Sequence, residues 1–154
     1  MLIEALVYIS VLFVVLAVGG AAYCRVLDHT RALRRVAADI ARALDAGERW
    51  REDVRAATAP PRLVREGAVE ALHLTQGMVE VVYFFEGSNV VRRVGTNLAW
   101  QPFLPRVVSS TFLEERRGEV TAWRWETELQ PGPRPPKEPP RFTFLAVAGK
   151  PAEP

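Results

Sequence analysis

The residue types able to carry chemistry are few and scattered. His29 and His73 stand apart, without the cysteines or carboxylates that would complete a metal-ligand spacing. Ser109-Ser110 has no histidine near it in sequence, and no G-x-S-x-G, P-loop or dinucleotide fingerprint occurs. Cys24 is the single cysteine, so no internal disulfide can form, and it reads as a small apolar residue near a membrane boundary. Trp123-Arg124-Trp125 suggests a stacking platform for bases. Glu126 and Glu128 beside it would repel phosphate, and 18 acids nearly balance 20 basic residues. The expectation is a chain that is not an enzyme, with no metal, no cofactor and no nucleic-acid partner. One titratable residue remains. Glu4 is the only charge in the first 24 positions. It either marks a helix end at a membrane interface or waits for a cationic partner from another chain, and composition leaves both open.

The elements around Glu4 are readable from patterning. Ala5 to Cys24 is an uncharged run of 20 residues. As a helix it spans about 30 Å, the thickness of a bilayer core. It lacks the polar stripe that a core helix in so small a domain would carry. Its start carries Glu4 and no basic residue, unlike a cleaved secretory signal. Beyond it, apolar or small residues recur at Leu33, Val36, Ile40, Leu44, Gly47, Trp50, Val54 and Ala57, in steps of three or four. Between them lie charges of both signs, Asp39, Arg42, Asp45, Arg49 and Asp53 among them, which read as a solvated face with partly regular pairing. Pro60-Pro61 ends the helix. The expectation is one helix of about 55 residues, its first half facing lipid and its second half packing on the C-terminal part of the chain.

From Leu63 the period changes to two. Ala71–Leu74 is a short strand, and Val79–Phe85, apolar on both faces, is a central one. Glu86–Asn89 turns into a hairpin partner, Val90–Val94. Asn97–Pro102 reads as a loop, Val107–Glu114 as a strand and Arg116–Gly118 as a turn. In Thr121–Leu129, Thr121, Trp123, Trp125, Thr127 and Leu129 share one face, and Ala122, Arg124, Glu126 and Glu128 the other. Six prolines between Pro131 and Pro140 predict an extended connection. Phe142–Ala148 closes the sheet as antiparallel partner of the tryptophan strand, and the tail after Gly149 frays. The predicted fold is α+β, a long N-terminal helix packed on an antiparallel sheet. The predicted divisions are a transmembrane segment (1–24), an amphipathic continuation (25–59), a sheet domain (60–150) with its proline-rich loop (131–140), and a tail (151–154).

The order of the first residues adds a resemblance. Leu2-Ile3-Glu4, then Ala5-Leu6-Val7 and an apolar run, resembles the start of mature type IV pilin-like proteins. The match covers roughly the first 25 residues and more loosely the helix to about Thr58. Met1 falls where the family has Thr, and the proline that kinks many of its helices has only Gly19-Gly20 as a substitute. The resemblance implies a structural subunit of a periplasmic filament, most similar to a minor pseudopilin of type II protein secretion, of the J-type. It implies Leu2, Ile3 and Glu4 as assembly residues, with Glu4 neutralised by the N-terminal amine of a neighbouring subunit. It implies other pilin or pseudopilin subunits as partners through the N-terminal helix, and the bacterial inner membrane as a single-pass location with the C-terminal domain in the periplasm. A basic leader encoded upstream would be removed by a prepilin peptidase. Positive-inside logic alone would instead hold Arg25, Arg31, Arg34 and Arg35 in the cytoplasm. The alternatives are a minor pilin of a type IV pilus or DNA-uptake system, and a membrane-anchored ligand-binding module.

Overall fold

A computed structural model describes residues 2–67, 69–95, 99–118, 120–131 and 139–149. One helix, α1 (Leu2–Arg55), is followed by β1 (Arg62–Glu66), β2 (Val69–Gln76), β3 (Val79–Glu86), β4 (Asn89–Val94), β5 (Gln101–Pro105), β6 (Val107–Arg117), β7 (Val120–Leu129) and β8 (Arg141–Val147). The chain divides into two compact units, Met1–Ala38 and Asp39–Pro154.

The first unit is helix alone. Its apolar run is long enough and apolar enough to cross a membrane, and none of it is buried. The run's one hydroxyl side chain outside its tyrosines hides itself: Ser10 Oγ donates to the Leu6 carbonyl at 2.8 Å. Such back-bonding satisfies the group without water, which a segment in hydrocarbon requires. Gly19 and Gly20 sit in open space within an unbroken helix.

In the second unit the strands form two antiparallel sheets rather than the single one expected. Sheet A has the order β1-β2-β3-β4-β5 and sheet B the order β6-β7-β8. β3 is central, as its two-sided apolarity predicts, and β8 pairs β7 with Phe144 opposite Trp125. The switch between sheets takes one residue, Arg106, at φ 62° between Pro105 and Val107. A non-glycine residue there is strained, and three contacts hold it. Gln130 N–H donates to its carbonyl at 2.7 Å, the next amide, Val107 N–H, donates to Ser88 at 2.9 Å, and its guanidinium pairs with Asp39 at 2.8 Å. Gly87, at φ 61°, makes the tight turn joining β3 to β4.

Several local expectations change. Arg62–Glu66 and Gln101–Pro105 are edge strands, missed because arginines and prolines mask their period. Gln101 and Pro102 therefore leave the predicted loop, and Arg116 and Arg117 leave the predicted turn for β6. Asn97 and Leu98 of that loop, residues 132–138 of the proline-rich stretch and the tail from 150 on lie outside the described residues.

The core is one cluster drawn from α1 and both sheets. Ala43, Ala46, Trp50 and Val54 of α1 meet Leu72, Leu74, Val81 and Tyr83 of sheet A and Phe112, Trp123, Trp125 and Phe144 of sheet B. Trp125 is its hub, with ring centroids 5.9 Å from Trp50 and Phe112, 6.0 Å from Phe103 and 5.2 Å from Phe144. Its indole N–H donates to Ser110 Oγ at 2.8 Å, so this ring is buried without an orphaned donor. The alternation read in β7 holds, except that Ala122, on the opposite face, is also buried.

The helix periodicity needs a correction. Trp50, Val54 and Ala57 are buried as read, but Leu33, Val36, Ile40 and Leu44 are exposed, Leu33 by 59% and Leu44 by 50%. The side that docks in this stretch presents alanines, Ala43 and Ala46, with Gly47 beside them. The missing side chain at Gly47 makes room for the Phe144 ring, so size rather than hydrophobicity marks the contact face.

Candidate functional site

Leu2, Ile3 and Glu4 open the first turn of α1. Ile3 is exposed; the side chains of Leu2 and Glu4 lie outside the described residues. They lie at the end of a helix that is uncharged from Ala5 to Cys24 and exposed from Leu6 to Cys24. Cys24 is exposed. Among the described residues no group of histidine, cysteine and carboxylate side chains is placed to hold a metal. His29 and His73 are not brought together; His73 Nδ1 instead meets Glu80 Oε1 at 2.9 Å across the β2–β3 pair.

The helix is fixed to the sheets by a buried polar cluster that patterning does not reveal. Asp53 reads in sequence as one of the solvated charges, yet it is only 8% exposed. It lies three residues after Trp50 and four before Ala57, on the stripe that docks. That position within an apolar stripe is the one signal the sequence offers. Its carboxylate accepts from the Tyr83 hydroxyl, from Arg92 Nε at 2.8 Å and Nη2 at 2.7 Å, and from Gln76 Nε2 at 3.3 Å. Gln76 Nε2 also donates to the Asp53 carbonyl at 3.0 Å. Tyr83 and Arg92 face each other across the β3–β4 ladder, so one register sets both donors. Three strands, β2, β3 and β4, and the helix therefore meet at one carboxylate.

The electrostatics make this cluster a lock rather than a proton relay. Burial pushes the Tyr83 phenol well above its usual range, the hydrogen bond to Asp53 and that residue's negative charge push it further, and Arg92 only partly opposes them. The phenol therefore stays a donor. Burial alone would lower the Arg92 pKa; its neighbours Tyr83 and Asp53 outweigh this and raise it. Neither group changes protonation near neutral pH, so the cluster binds and orients.

α1 is apolar at its start and docked at its end on antiparallel sheets. The fold is pilin-like. No family model, no curated protein and no solved structure matches the chain in comparison. The architecture is consistent with a filament subunit that assembles through its N-terminal helix.

Proposed function

We propose that this chain is a structural subunit of a periplasmic pilus-like filament, most similar to a minor pseudopilin of type II protein secretion, and that it has no enzymatic activity. The observation that supports the reading is the pairing of an uncovered 20-residue uncharged run with a docked helix end in one 54-residue α1. The run holds the subunit in the inner membrane, with the sheet unit in the periplasm. In the filament, the apolar helix packs among its equivalents. Leu2 and Ile3 contribute apolar surface there, and the Glu4 carboxylate pairs with the N-terminal amine of a neighbour. Desolvation makes that pair selective for axial register, because an unpaired buried carboxylate costs several kcal/mol.

Glu4→Ala tests this in cells that assemble the fibre. The mutant is expected in the membrane fraction at wild-type level but reduced about tenfold or more in cross-linked or sheared fibres. Fibre incorporation at the wild-type level would remove Glu4 from the mechanism. A wild-type chain that stays monomeric in the membrane would favour the anchored ligand-binding module instead.

A further inference from the structure

A cleft of about 450 Å³ opens between α1 and the edge of sheet A, wholly within the second unit. Arg42, Asp45 and Arg49 line it from the helix, and Arg92, Pro102 and Phe103 from β4 and β5. We propose that this cleft binds an acidic side chain, glutamate or aspartate, presented by another protein chain.

One donor, Arg92, is preorganised. Arg92 is committed to Asp53 through Nε and Nη2, its side chain is 14% exposed, and its guanidinium lies 5.8 Å from the Tyr83 ring. A guanidinium carries five N–H donors in a planar fork, so Nη1 of this fixed arginine, which makes no hydrogen bond or ion pair among the described residues, is left for a ligand. Arg42 gives one nitrogen to Asp39, whose other oxygen takes Arg106. Arg49 has no ion pair among the described residues. Bidentate recognition of a carboxylate is what such forks do best.

The rest of the lining selects the type of anion. Phe103 and Pro102 offer an apolar surface for the methylene stem of an acidic side chain. Asp45, on the same wall, also has no ion pair among the described residues, and it opposes a phosphate dianion more than a single carboxylate. Pro102 lacks an N–H on the edge strand β5, so the cleft recognises a side chain rather than adding a strand. None of this rests on the filament reading, since a chain that never assembles would carry the same cleft.

The test uses the full chain in detergent micelles with ¹⁵N-arginine, titrated with acetyl-Gly-Glu-Val-Glu-Gly-amide, its glutamine counterpart and inorganic phosphate. The glutamate peptide is expected to shift the Nε–Hε signals of Arg49 and Arg92, and the glutamine peptide is not. Arg49→Gln is expected to weaken binding about tenfold, and Asp45→Asn to tighten it several-fold. Because Arg92 also holds Asp53, it is read in the wild type and not substituted. Equal shifts at Arg62, Arg65 and Arg141 would overturn the proposal. So would phosphate binding as tightly as the peptide, or Asp45→Asn leaving the affinity unchanged.

Discussion

Gly47→Ala sets two effects of opposite sign against each other. In an exposed helix the change would stabilise by about 1 kcal/mol through propensity alone. Here a Cβ on Gly47 would stand 2.0 Å from Phe144 Cε1, 2.3 Å from Cδ1 and 2.4 Å from Cζ. An ordinary carbon contact needs about 3.5–4.0 Å, so the ring must retreat by more than 1 Å. It has little room: Trp125 lies 5.2 Å from it, Phe142 stacks at 6.3 Å, and the Arg51 guanidinium sits 5.5 Å from its centroid. Overpacking of a core costs about 1–3 kcal/mol, and full expulsion of the ring about 3–5 kcal/mol. After subtracting the propensity gain, the expected net loss is about 2 kcal/mol. For a unit of this size that is a fall of about 8 °C in Tm. The assay is urea or thermal unfolding of the full chain in detergent, followed by tryptophan fluorescence. Phe144→Leu in the same background is expected to recover at least about 1 kcal/mol by coupling. If Gly47→Ala stabilises the protein, Phe144 does not seat on this helix and the docking face is misassigned.

Asp53→Ala leaves Arg92 charged and buried without its partner, and is expected to cost about 3–5 kcal/mol by urea unfolding; adding Arg92→Met is expected to return much of that. A raised Tyr83 pKa implies a loss of stability at high pH. Up to the unfolded pKa of about 10 the phenol is neutral in both states. Above it the unfolded state loses its proton and the native state keeps it, so stability falls by about 1.4 kcal/mol per pH unit. Tyr83→Phe is expected to remove that slope between about pH 10 and 11.5, and an unchanged slope in the mutant would refute the assignment.

Much of the fold is legible in sequence because local patterning and tertiary packing agree. The uncharged run and the strand Val79–Glu86 are legible from continuous apolarity of the right length, and Val120–Leu129 from its alternation. β1 and β5 escape because edge strands need no apolar alternation and tolerate proline. The division into two sheets escapes because a single left-handed Arg106 leaves no compositional trace. The docking face of α1 is legible in part. Hydrophobicity points to Leu33 through Leu44, but contact is made by Ala43, Ala46 and Gly47, where close approach selects small side chains. Asp53 misleads for a related reason: a charged residue on a helix is usually solvated, and only its distant partners Tyr83 and Arg92 make burial tolerable. The cleft arginines are not distinguishable in sequence from the other fifteen.

Phe144 is received by a glycine nearly a hundred residues earlier, and the next carbonyl, Leu145, accepts from Arg51 at 3.2 Å across the same span. The first and last elements of the sheet unit are therefore each other's lids. A ribosome releases α1 long before it releases β8. During that interval Trp50 and Val54 lack part of their final cover, and the docking end of α1 is unfinished. Closure of so long a loop is slow relative to helix formation. The newly made chain passes through a stage in which α1 is formed before the surface it docks on is complete. Premature termination anywhere before Phe144 would leave α1 displaying an open core.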